Sequence, residues 1–307
     1  MYWNKKEASG DHTPPSATQH NERFYHNGKS MIIQIEQQLF RLHSDLMAQA
    51  SPVLKDMLEI AHGSTSNEGS SDEHPICLGE PFTVDKMNNL LGWFLRYKRD
   101  EQLTIEELTD ILELGTFLEM ECARVTAIDG LSRNQDFPLP LKLSLGISFL
   151  VPQWIEPAFY ALLRADLSTI TVDDYIIMGP QVTHILTTTQ AAVYRHRLLI
   201  ALNPYRLVHQ NGCNSPGPDY SVCQNKWSSG WKQNFAPLYL HPDIPLTPEE
   251  ALRKLASGPM PGVTPDCRNA VIQRITEMKV FEKEHEIIRK AVGMIKTLEG
   301  TKWYQKL

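Results

Sequence analysis

The sequence predicts an α+β chain: a small sheet near the front, a helical cluster behind it and a mainly helical extension. Two observations carry this. First, Met31, Ile33 and Ile35 alternate with Ile32, Gln34 and Glu36, a period-two pattern rich in β-branched residues that favours a strand. Second, from Leu46 onward the apolar residues recur at helical spacing, behind residues suited to begin helices.

Glu36-Gln37-Gln38 interrupts the first strand and Leu39 to Leu42 resumes an extended apolar run, which reads as a hairpin. Leu46, Met47 and Ala50 then fit a short helix capped by Ser44. Ser51-Pro52 opens another, because Ser can cap exposed amides while Pro at the first helical position forfeits no hydrogen bond. His74 to Leu78 reads as a strand, Thr83 as the cap of a helix through Leu95, and Thr104 with Glu107 as a capping box; a further helix covers Glu121 to Ile128.

Phe40-Arg41-Leu42-His43, a short helix, then Ser51-Pro52-Val53-Leu54 and Met57-Leu58 resemble the BTB/POZ motif, in which F-R-V-H precedes a helix and S-P-V-F-x-x-M-F follows it. Ser71 to Ile76 and the helix order resemble a fungal subset of that family, over residues 24–131. The resemblance implies a BTB/POZ fold, with a small mixed sheet and a helical cluster. It also implies self-association into a homodimer and an adaptor role, with a cullin scaffold of a ubiquitin ligase as a further protein partner. Many members carry Arg or Lys directly after the His, in a charged pocket at the dimer interface; this chain has Ser44 and Asp45 there, a departure that bears on pairing and on co-repressor capture.

Asp45, Met57, Trp93 and Tyr97 are the candidate partner-binding residues. Trp93 and Tyr97 flank an apolar stripe, and such rings dominate interface energies; core or rim packing is the other reading.

Residues 1–23 are polar and aperiodic and read as a flexible arm, and the Gly/Ser/acid-rich segment His62 to Glu73 as a mobile loop. Phe137-Pro138-Leu139-Pro140 marks a boundary. Beyond it, 138–202 forms a helical extension with helices over Leu141 to Leu150, Pro152 to Ala165, Thr171 to Met178 and Pro180 to Leu202. Residues 203–265 read as an irregular region dense in Gly, Pro and Trp, with a short helix opened by Thr247-Pro248-Glu249-Glu250, and 266–299 as one long amphipathic helix lacking a clean heptad seam.

Five cysteines, odd in number and widely spaced, argue against a disulfide framework and for reduced thiols, with Cys77 and Cys122 as small buried hydrophobes. Zinc could be held by Cys213, Cys223 and two of His209, His241 and Cys267, since it prefers thiolate and imidazole in a tetrahedron; the block Cys213, Cys223, His241 and Cys267 is one such set. Against it, the C-x9-C spacing is no finger signature. The alternative is a loop whose Trp227, Trp231 and Phe235, recurring every four residues, fold back on the helical extension, with no cofactor bound.

No nucleophile elbow, phosphate loop, dinucleotide fingerprint or H-E-x-x-H occurs, and His43, Ser44 and Asp45 do not face each other in a relay, so no catalytic residue is expected. Of 307 residues 42% are hydrophobic and 21% charged, enough for a sizeable core. The net charge of −6 is uneven: residues 24–130 hold 18 acidic and 8 basic side chains, the chain after them 15 and 19. That acidic front favours protein over nucleic acid; the nucleic-acid reading would rest on Tyr194 to Arg206 and the basic C-terminal helix. The N-terminus lacks the apolar core of a secretory signal, and no run is long enough for a membrane span, so an intracellular protein, cytoplasmic or nuclear, is expected.

Overall fold

The computed structural model describes residues 19–25, 30–63, 67–97, 103–210, 212–213, 221–241 and 245–298. The chain is mixed α and β, mostly helical with one small mixed sheet. It divides into two units, one ending at Phe137 and the other beginning at Pro138.

The first unit is built on a hairpin. Strands β2 (Ser30–Ile35) and β3 (Gln38–His43) pair antiparallel from Ser30 opposite His43 to Ile35 opposite Gln38. The turn between them is tight enough to set Glu36 at φ 53°. Strand β1 (Gln19–Tyr25) adds parallel to β3, and β4 (Ile76–Leu78) parallel to β2, giving the order β1-β3-β2-β4. Ile32 is buried along with Met31, Ile33 and Ile35, so β2 is covered on both faces, as fits a central strand.

Two segments expected to be loose are tied into this sheet. The first described strand begins at Gln19, inside the expected arm, and the buried Asn21 amide donates to Gln38 Oε1 (2.9 Å) and Asn88 Oδ1 (3.0 Å). The loop expected over His62 to Glu73 is helical to Gly63, and residues 64–66 lie outside the described residues. Beyond them the Gly69 carbonyl accepts the Ile32 amide at 2.9 Å, and Asp72 accepts from Tyr25 and His20, with Arg41 alongside at 3.4 Å. Polar composition misleads here because the loop's own backbone and carboxylate complete the sheet's hydrogen bonding.

Helices α1 (Ser44–Ala50) and α2 (Pro52–Gly63) follow β3. His43, not Ser44, holds the N-cap position of α1, without a side-chain bond. Ser51 does cap α2: the Leu54 amide donates to its Oγ at 3.0 Å, while that hydroxyl donates to the Leu118 carbonyl at 2.6 Å. Helices α3 (Val84–Phe94), α4 (Ile105–Phe117) and α5 (Glu121–Arg133) complete the unit, with Thr83 capping α3 and Thr104 with Glu107 forming the capping box of α4. Lys86 bridges α3 to Glu113 of α4 at 2.6 Å. At Gly115 a Cβ would stand 2.8 Å from that of Ala123, so the absent side chain lets α4 and α5 close together. Cys77 and Cys122 are exposed, contrary to the expectation of buried thiols.

The second unit has two cores. Helices α6 (Leu139–Ser148), α7 (Pro152–Arg164) and α8 (Val172–Leu202) form the first with α13 (Glu282–Lys296). Helix α8 is interrupted at Gly179, φ 76°, immediately before Pro180, where two helices were expected to meet; Ser144 donates to the nearby Ile177 carbonyl at 2.8 Å.

The second core is built largely from the region expected to be irregular over 203–265: residues 204–210 carry no regular element and a helix does begin at Pro248, but the Trp-rich stretch is helical too. This core comprises α9 (Ser221–Gly230), a π-helical turn at Trp231–Phe235, α10 (Ala236–Tyr239), α11 (Pro248–Ser257) and α12 (Pro265–Glu277). The four-residue recurrence of Trp227, Trp231 and Phe235 is a helix stripe, continued by Tyr239, and all four rings are buried. Their indoles are satisfied at the end of α8: Trp231 Nε1 donates to the Ala201 carbonyl at 3.1 Å, and Trp227 Nε1 to that of Tyr205 at 2.8 Å. The expected single helix over 266–299 is broken between α12 and α13, where Lys279 takes φ 52° and His196 Nε2 donates to the Val280 carbonyl at 3.1 Å. An amphipathic period continues through that break, so periodicity alone conceals it.

Candidate metal centre and candidate interaction surface

The C-terminal core places four potential metal ligands together. His209 and Cys213 lie on the segment after α8, Cys223 in the first turn of α9 and Cys267 in the first turn of α12. The His209, Cys213, Cys223 and Cys267 ligand atoms all lie within 4.8 Å of one another. Gly212, at φ +90°, turns the short connection between His209 and Cys213, and the Cys213 amide donates to the Gln210 carbonyl at 3.2 Å.

Cys223 and Cys267 are buried, while His209 and Cys213 are half-buried. His209 Nδ1 stands 3.5 Å from Cys213 Sγ, and the Gln210 amide donates to Cys267 Sγ at 3.3 Å. Burial, reinforced by the neighbouring Cys213 and Cys267 sulfurs, pushes the Cys223 thiol up to about 12. A dication reverses that balance, because its charge favours thiolate over thiol. None of the five cysteines is disulfide-bonded.

Of the five zinc candidates in the sequence, four meet here and His241 does not; it is exposed after α10. His209 takes the fourth corner. His209-x3-Cys213 is the short-range signal that identifies the pair, whereas Cys223 and Cys267 are joined to it only by folding.

The partner-binding candidates fall into different environments. Trp93 is 5% exposed and belongs to the core, so its ring offers no surface anchor. Met57 is half-buried on α2, and Asp45 is exposed in the first turn of α1. Tyr97 is 63% exposed and lines a groove of about 280 Å³ with Leu42, His43, Leu46, Met47 and Leu95. Leu46 is also exposed, although its helical apolar position in the sequence reads as core. The groove is shaped by the junction of β3 with α1 and by the segment after α3.

The basic stretch Tyr194 to Arg197 is partly committed within its own unit. Arg197 Nε and Nη2 bind the two Glu284 oxygens at 2.9 and 2.7 Å, and its guanidinium lies 5.2 Å from the centre of the Tyr239 ring. Burial, with the Glu284 charge adding to it, raises the Tyr239 phenol above its ordinary value, and burial lowers His196. Among the described residues no helix is long and apolar enough to cross a membrane.

Comparison of the chain with protein-family models, with curated proteins and with solved structures returned no match.

Proposed function

We propose that the chain is a non-catalytic protein-association module whose first unit works as a BTB/POZ-type domain, pairing with a second copy. The groove beside Leu46 and Tyr97 is the observation that carries this reading. It lies at the Phe40 to His43 strand end, where the residues of the family resemblance meet an apolar, exposed surface, and Asp45 adds a charge on the neighbouring helix turn. A two-fold contact would set this patch against its own copy, so that each Tyr97 finds an apolar neighbour. In an adaptor role the first unit would also hold a second protein, a cullin-type scaffold being the one that the resemblance implies.

The test is the solution mass of the full chain by light scattering across a wide dilution. A mass near twice 35.0 kDa that falls to one chain in Leu46→Glu supports the reading. A monomer at every concentration that also fails to retain a cullin N-terminal domain overturns it.

A further inference from the structure

We infer that His209, Cys213, Cys223 and Cys267 bind one structural zinc ion that fastens the segment after α8 to α9 and α12. The dimensions fit the metal. With Zn–S of about 2.3 Å and Zn–N of about 2.05 Å, a tetrahedral site separates sulfur from nitrogen by about 3.6 Å and sulfur from sulfur by about 3.8 Å. The His209 to Cys213 separation is 3.5 Å, and the four atoms span no more than 4.8 Å, so an ion at their centre needs only a small contraction. A disulfide requires sulfurs at about 2.05 Å. An iron–sulfur cluster spreads its ligands over several irons and does not fit so tight a set.

The donors match as well. Three sulfurs and one imidazole nitrogen are the Cys3His set of structural zinc, and four protein ligands leave no open position for substrate or water, so the ion is not catalytic. On binding, each thiol releases its proton to solvent and the imidazole binds neutral, which leaves a net charge of −1 on the site. That charge meets support from the protein: the Gln210 amide points at Cys267 Sγ, and Cys223 and Cys267 each occupy a first helical turn, where the dipole favours an anion. Without the ion, three thiols, two of them buried, would converge on an imidazole with no charge to hold them.

The experiment uses the full chain purified under reducing conditions without chelator. Elemental analysis is expected to give one zinc per chain. After the metal is stripped, cobalt(II) is expected to restore the site, with the intense visible bands of a tetrahedral ion and thiolate charge-transfer absorption. His209→Cys keeps those bands with added thiolate character, His209→Ala loses or shifts them, and His241→Ala leaves them unchanged. Cys223→Ser is expected to abolish stoichiometric binding; should that variant fail to fold, the cobalt spectra of the unaltered chain and the His209 variants still decide. Absence of both zinc and a cobalt spectrum in the folded, reduced chain overturns the inference. So does a spectrum indifferent to His209→Ala, or a disulfide among these cysteines in place of the metal.

Discussion

The hairpin of the first unit and the C-terminal core of the second are closed over very different lengths of chain. Strands β2 and β3 are joined by two residues, and their pairing follows from neighbours in sequence. In the C-terminal core the Gln210 amide meets a sulfur 57 residues away, and Arg197 meets Glu284 across 87. Loop-closure entropy grows only slowly with length, so such distant contacts are tolerated, but each one then carries more of the order of its region. The hairpin is ordered by bonds between near neighbours in sequence; the C-terminal core depends on joints between distant ones.

The largest test of that contrast is Arg197→Ala. Its guanidinium and the Glu284 carboxylate are 12% and 7% exposed, so truncation strands a buried charge. A loss of about 3–5 kcal/mol is expected, with most of it recovered when Glu284 is also replaced, as in Arg197→Met with Glu284→Met. Urea unfolding followed by hydrogen exchange of the 221–239 segment checks it; a loss below the single-contact range would show that the joint is dispensable.

In the first unit, Gly115→Val forces three carbons into the close approach of α4 and α5, and about 1–3 kcal/mol of destabilisation is expected. Exchange rates of the α4 and α5 amides would report it. Ser51→Ala is milder, about 1–2 kcal/mol, since it removes the cap of Leu54 and leaves the Leu118 carbonyl without its donor. A thermal shift from the same purified protein measures it.

The smallest effect is a pH dependence. The Tyr25 hydroxyl, with His20 and Arg41 beside it, holds the Asp72 carboxyl below its ordinary range. Its stabilising contribution is therefore present above the unfolded value of about 3.9 and is lost as pH falls through the lower folded value. Asp72→Asn should flatten the acid limb of the stability profile without altering stability changes between pH 6 and pH 8; an unchanged acid limb would show that the loop is held by Gly69 instead.

Much of the first unit was legible because its signals act within a few residues. The capping box at Thr104 and Glu107, the Thr83 cap and the Ser51-Pro52 start each depend on a side chain reaching an amide three positions away. The loop around Asp72 was not legible, since its order comes from Tyr25 and Ile32, which lie far back in the chain. Trp93 illustrates a related ambiguity: an aromatic beside an apolar stripe reads equally as anchor or core, and only its 5% exposure separates the two.

For the second unit the sequence determined which residue types were available and where most helices begin. Thr171 with Asp174 and Thr247 with Glu250 close capping boxes at the starts of α8 and α11, and Gly179-Pro180 breaks α8. Cys213, Cys223 and Cys267 were recognisable as potential ligands by chemistry alone. Tertiary structure decided that His209 and not His241 joins them, that Trp227, Trp231 and Phe235 form a buried stripe, and that the last amphipathic run bends at Lys279. The physical reason is range: caps and periodicities are settled by backbone geometry over one or two turns, whereas a four-ligand cluster depends on how separate helices pack, and no local pattern encodes that distance.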